Sequence, residues 1–180
     1  MSPKDINSAS YSWAKHFSFI HNAVLDCRPK QTSVHQNSGG VIRDGKGKWI
    51  LGYNRSLGKC SVAVAELWGI LDGLFLVQKQ GYAEVIIQSD NLENVISICK
   101  SKFDGPKSSL IRRIQQILAF EEKWSLNYVP SESNRVADAL AKIALTRDET
   151  LHMFEELPLE IKEVLKEDCT FDNLTMIYSM

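Results

Sequence analysis

The chain has 180 residues, 44% hydrophobic and 24% charged, enough for one domain with a real core plus tails and too few for two large domains. Its 21 Lys and Arg stand against 22 Asp and Glu, a formal net charge of −1, so no global field marks it for nucleic acid, and binding to phosphates must come from local basic clusters or bound metal ions. Cys27, Cys60, Cys99 and Cys169 lack CxxC spacing and the opening "MSPKDINSAS" has no apolar secretory run. No stretch reaches the roughly 18 apolar residues of a membrane span. The expectation is an intracellular chain with free thiols and no membrane contact, with nucleus and cytoplasm left open.

Residues 1–15 are polar and read as a flexible N-terminal segment, residues 16–146 as the domain, and residues 147–180 as an acidic, partly helical tail. A first strand is expected around Phe17 to Asp26, followed by an irregular stretch, "CRPKQTSVHQNSGG", rich in turn formers. Two β-like runs, Val41 to Arg43 and Trp49 to Asn54, flank Asp44-Gly45-Lys46-Gly47, the pattern of a hairpin. "SVAVAELWGILDGLFLVQKQ", Ser61 to Gln80, is helical by length and period, with Gly81 as its stop. A short strand, Glu84 to Ser89, carries the apolar trio Val85, Ile86 and Ile87, which suggests burial on both faces.

"NLENVISICK" and "GPKSSLIRRIQQILAF" follow as helices, the second with Leu110, Ile114 and Leu118 on one stripe. "KWSLNYV" alternates like a strand, and Ser133 or Asn134 is expected to cap a last helix, "RVADALAKIAL". The order is β-β-β-α-β-α-α-β-α, an α/β fold with helices on the faces of a mixed sheet. Beyond Leu145, amphipathic pieces interrupted by Pro158 are expected to lie on the domain as helical turns or to form a partly disordered tail.

Four acids fall at element ends or early helical turns: Asp26, Glu66, Asp90 and Asp138. Each has a plain structural reading as turn, cap or helix-dipole residue. Together they suggest more. If the first and central strands are neighbours, four carboxylates share one small volume, and two unit charges ~4 Å apart repel by ~4 kcal/mol at an effective dielectric near 20. Divalent cations would remove that repulsion. Oxygen-only ligands suit two Mg2+ ions, or Mn2+, and such a pair can activate water in phosphodiester hydrolysis.

The strings "GGVIRDGKGKWILGYNRSLGKCSVAVAELWGILDGL", "VIIQSDNLENV", "LIRRIQQIL" and "SESNRVADALAKIA" give the stretch from Asp26 to Leu145 a close likeness to a known family. It resembles a type 1 ribonuclease H domain, more narrowly the plant reverse-transcriptase-like ribonuclease H proteins related to non-LTR retroelements. The resemblance implies a ribonuclease H-like fold, a five-stranded mixed sheet with helices on its faces. It also implies two-metal endonucleolytic cleavage of the RNA strand of RNA–DNA hybrids, leaving a 3′-hydroxyl and a 5′-phosphate. In that scheme Asp26 and Asp90 hold metal, with Asp26 bridging both ions, and Glu66 and Asp138 complete the two shells. Glu66 would also reach a ribose 2′-hydroxyl.

Three positions depart from the family. Cys27 follows Asp26 where relatives have Gly, Tyr128 stands ten residues before Asp138 where relatives often have His, and Ser131 replaces a frequent Arg. Tyrosine, with a reference pKa of ~10, is a poor proton shuttle near neutral pH. These changes imply lower rate or affinity rather than loss of metal ligands.

Candidate substrate contacts are Lys46 and Lys48 in the hairpin, Lys59 and Ser61 before the long helix, Asn91 beside Asp90, and Arg112 with Arg113. Trp49, Trp68 and Trp124 read as core, Asn134 as a cap, and His16, His21, His35 and His152 share no zinc spacing. "GGVIRDGKG" lacks the string and context of a P-loop. Three readings compete. One is a monomeric hybrid-cleaving ribonuclease, one a catalytically impaired module that grips hybrid or double-stranded RNA, and one a retained fold serving protein interaction through its acidic tail.

Overall fold

The computed structural model describes residues 34–82, 84–100, 108–121, 123–144 and 150–171. The expected first strand, with Asp26 and Cys27, lies outside them. The hairpin forms as its turn chemistry requires. Strands β1 (Val34–Arg43) and β2 (Trp49–Cys60) pair antiparallel, and between them Asp44 Oδ1 accepts from the backbone amides of Lys46 and Lys48, each at 2.9 Å. Those two amides hold the Asp44 carboxyl below the ordinary carboxylate range.

Both strands run further than their apolar letters. β1 starts at Val34, inside a stretch that composition marks as irregular. Residue by residue it meets β2, with His35 opposite Lys59 and Ser38 opposite Arg55, and this ladder satisfies backbone groups that turn propensity alone would leave to water. The register slips between Gln36 and Asn37, so that Leu57 is the extra residue on β2. Gly58, at φ 66°, supplies the left-handed backbone there.

Strand β3 (Val85–Ser89) pairs in parallel with β4 (Trp124–Tyr128), and β5 (His152–Phe154) adds antiparallel to the other edge of β2. The described strands therefore make two sheets, β1-β2-β5 and β3-β4. This corrects the expectation of a single five-stranded sheet. No described strand joins β1 to β3, and the fifth described strand comes from the tail, where it gains its hydrogen bonds from β2.

Helix α1 (Val62–Gln80) is capped by Ser61, whose hydroxyl accepts from the Val64 amide at 3.3 Å, and it ends at the left-handed Gly81. Leu67, Ile70, Leu71, Leu74 and Val77 are all buried, so α1 is apolar nearly all round, as a central helix must be. It also takes part in a buried ion pair. Arg55 Nη2 donates to Asp72 Oδ1 at 3.0 Å, with 1% and 2% of the two side chains exposed, and the guanidinium lies 5.3 Å from the centre of the Trp68 ring. Burial pushes Asp72 up to about 7, with the Arg55 charge pulling the other way.

Helices α2 (Leu92–Cys99), α3 (Ser109–Leu118), α4 (Arg135–Lys142) and α5 (Leu159–Phe171) complete the described elements. A large core joins α1, α2 and α3 to both sheets. A second, smaller one gathers Val41, Val136, Leu140 and the fully buried Ile161 of α5, so the residues beyond the expected domain boundary pack on the domain. β1 and α4 approach very closely. A Cβ on Gly39 would lie 2.5 Å from the Ala141 amide nitrogen and 2.6 Å from the Ala137 carbonyl oxygen, so only glycine lets the strand rest on the helix. No helix among the described residues is long and apolar enough to cross a membrane.

Candidate active site

Asp90 stands where β3 ends because its two neighbours turn the chain. The Ser89 hydroxyl accepts from the Asn91 amide at 3.2 Å, and the Asn91 side chain accepts from the Asn94 amide at 3.0 Å, capping α2. Between a finished strand and a starting helix, Asp90 is free of capping duty and lines a cleft of about 160 Å³. Glu66, one turn in from the Ser61 cap of α1, and Asp138, in the first turn of α4, line the same cleft. The facing wall is neutral, made by Gln36, Asn37, Ser38 and Gly39 of β1. The Ser38 hydroxyl is buried there without a hydrogen-bond partner among the described residues.

The acids feel one another. Burial, then the charges of Asp90 and Asp138, push the Glu66 carboxyl up to about 7, so near neutral pH it is poised between its two forms. Two of the acids have nitrogen partners. Asn134 Nδ2 donates to Asp90 Oδ1 at 3.1 Å, and Lys142 Nζ donates to Asp138 Oδ2 at 2.6 Å.

Asn134 corrects an expectation. It sits at the N-cap position of α4, but its side chain makes no capping bond. The amide reaches across to a carboxylate instead, a charge-assisted bond stronger than the cap it forgoes. Its place in the site could have been found from spacing, since it precedes Asp138 by one helical turn.

The oxygen-only donor set suits hard divalent cations, and such a cation would offset the charges of Asp90 and Asp138 that add to the effect of burial on Glu66. Yet among the described residues no three acid, histidine or cysteine side chains close around a single ion position. The described acids share a cleft and a field without converging on one point, and Asp26, the fourth candidate, lies outside the described residues.

The candidate substrate contacts divide by position. Ser61 and Asn91 adjoin the cleft and act as helix caps. Lys59 is exposed and pairs across the ladder with His35, next to Gln36 of the neutral wall. Lys46 and Lys48 are exposed at the far end of β1, ~20 Å from Ser38 at ~3.3 Å per residue. Arg112 is exposed on α3, and Arg113 lies 5.8 Å from the centre of the Phe75 ring; neither lines the cleft.

Of the tryptophans expected in the core, Trp68 is buried and Trp49 donates from Nε1 to the Glu155 carbonyl at 3.2 Å. Trp124 is 38% exposed, because β4 has a strand neighbour on one side only among the described residues. Tyr128, at the end of β4, is 49% exposed.

The model of the reverse transcriptase-like family matches residues 25–144. A curated Arabidopsis thaliana relative, named "Putative ribonuclease H protein", is 31% identical over 134 residues, which cover 73% of this chain and 22% of the relative. The chain thus spans about a fifth of the length of that relative. Among solved structures, RNase H1 from the halophilic archaeon Halobacterium salinarum superposes with a TM-score of 0.58 at 21% identity, covering 67% of this chain and 92% of that one. The N-terminal RNase H domain of a Mycobacterium tuberculosis protein, solved as a fusion with maltose-binding protein, gives 0.48 at 20% identity over 62% and 96%. The archaeal match establishes a ribonuclease H-like fold. With the family model spanning the hairpin and all three described acids, the chain belongs to the reverse transcriptase-like family and has a ribonuclease H-like fold.

Proposed function

We propose that the chain is a metal-dependent endoribonuclease that cleaves the RNA strand of RNA–DNA hybrids and acts as an intracellular monomer. The observation that carries this reading is the shared cleft of Glu66, Asp90 and Asp138, in which Glu66 is pushed up to about 7 by burial and by the other two acids. These three would hold two Mg2+ or Mn2+ ions, with Asp26 as the fourth ligand. Bound ions of this kind activate water and stabilise the leaving oxygen in phosphodiester hydrolysis.

The chain's own residues prepare the place. Asn134 holds Oδ1 of Asp90, a carboxylate that lines the cleft, and so limits its rotation. The neutral wall of Gln36, Asn37 and Ser38 offers hydrogen bonds to a sugar–phosphate strand without adding charge. Lys59, Ser61 and Asn91 stand near enough to serve the nucleotides flanking the cut. Lys46, Lys48, Arg112 and Arg113 would meet phosphates further along the duplex. Cys27 and Tyr128 lower the rate relative to relatives with Gly and His.

Purified protein incubated with end-labelled hybrid and Mg2+ or Mn2+ is expected to yield 5′-phosphate and 3′-hydroxyl ends, and Asp90→Asn to abolish them. Cleavage that survives Asp90→Asn would sink the assignment.

A second reading is a module that grips hybrid or double-stranded RNA without cutting. Two observations favour it: the Lys142 ammonium sits on Asp138, and no three ligating side chains among the described residues close on one ion. Salt-dependent hybrid binding that persists in chelator, without cleavage in either metal, would select it.

A further inference from the structure

We propose that Lys142 is a built-in counter-ion of the cleft, its ammonium holding Asp138 while no divalent cation is present and surrendering that carboxylate when one arrives. The inference rests on the metal-dependent reading above. Lys142 Nζ lies 2.6 Å from Asp138 Oδ2, the two standing four positions apart (i, i+4) along α4, so one helical turn fixes the tether. Both side chains are largely open to water, at 73% and 59% exposure. Such an exposed pair is weak and opens readily.

The contrast with the other pairs is chemical. Arg55 and Asp72 are sealed from water and cannot exchange partners without opening the core. Asp90 is held by a neutral amide, which orients a carboxylate without competing for its charge. Asp138 instead carries a mobile positive charge on the same oxygen donors a hard cation would use.

A tethered ammonium next to Asp138 would offset the repulsion left behind when an ion leaves, and so favour exchange of the ion over its retention. Lys142 is in this sense a positioning residue and not a ligand.

The test is Mn2+ binding to the full chain, followed by the spin-resonance signal of the free ion, for the wild type, Lys142→Met, Lys142→Arg and Lys166→Met. Lys166 pairs with Glu163 on α5 and serves as a control for the loss of one positive charge elsewhere. Lys142→Met is expected to bind Mn2+ about two- to fivefold more tightly and to release it more slowly in a chelator chase, the factor an exposed ion pair is worth. Lys142→Arg and Lys166→Met are expected to match the wild type. Unchanged or weaker binding by Lys142→Met, or equal tightening by Lys166→Met, overturns the proposal while leaving the metal reading intact. Failure of the wild type to bind Mn2+ at millimolar concentration overturns the metal reading and the proposal with it.

Discussion

Asn134 and Asp90, 44 residues apart in sequence, are joined by one hydrogen bond of 3.1 Å that ties the start of α4 to the end of β3. Through it, two elements that carry site acids are registered against each other. Asn134→Ala removes the donor, frees the Asp90 carboxylate to rotate and leaves the backbone of the turn intact. Loss of such an outer partner typically costs ~10- to 100-fold in metal affinity or activity. Mn2+ titration and hybrid cleavage are expected to show that loss, with a melting temperature close to the wild type because the bond lies at a partly exposed cleft.

Glu66 makes stability depend on pH with a definite sign. Its folded-state pKa, about 7, lies above the ordinary glutamate value of 4.5. Between those values the folded state binds more protons than the unfolded one. This contribution is therefore fully present below about pH 4.5 and fades as the pH rises through about 7. Glu66→Gln is expected to flatten that decline and to exceed the wild type at pH 8 by up to ~3 kcal/mol. Urea denaturation at several pH values measures the difference. Asp72 titrates in the same window in both proteins, so the comparison isolates Glu66. Saturating Mg2+ at pH 8 is expected to shrink the gap.

The Arg55–Asp72 pair should respond to mutation as a unit. Arg55→Met strands a carboxylate at the centre of the core, and Asp72→Leu strands a guanidinium; each is expected to cost ~3–5 kcal/mol. The double variant replaces both charges by apolar volume and is expected to recover most of that loss. Urea unfolding of the three proteins closes the cycle. An additive double variant would show that the two side chains do not depend on each other.

Ile161 belongs to α5, outside the family match of residues 25–144, yet it is fully buried against Val41, Val136 and Leu140. Ile161→Ala is expected to lower stability by ~2–5 kcal/mol. Glu167, which meets Arg135 at 2.6 Å across exposed side chains, is expected to matter by less than ~1 kcal/mol when changed to Gln. Thermal and urea melts that rank the two variants the other way would mean that α5 is held by charge and not by its apolar contact.

The legible parts of this molecule were those written locally. The long helix, the apolar strand before Asp90 and the hairpin turn at Asp44 all announce themselves within a few residues, through period, capping and turn chemistry, whereas Glu66 and Asp138 each look locally like ordinary helix residues and stand out only through their joint order along the chain. What could not be read depends on partners distant in sequence. The polar start of β1 is a strand only because β2 runs beside it, and Asn134 is a carboxylate partner only because β3 ends across the cleft. Ile161 gives no sign in its acidic helix of the pocket waiting for it. The arrangement of five strands was misjudged for the same reason, since strand order is a property of the whole chain.

Gly39 has a final consequence. With no atom beyond its Cα, the strand backbone and the α4 backbone touch directly, and a single methyl group would overlap the amide of Ala141. The gap between the hydroxyl-bearing rim and the helix that bears Asp138 is therefore gauged by main-chain thickness alone. A heavier residue would act as a shim, prising the jaws apart by a fraction of an ångström, a distance to which ion coordination is sensitive.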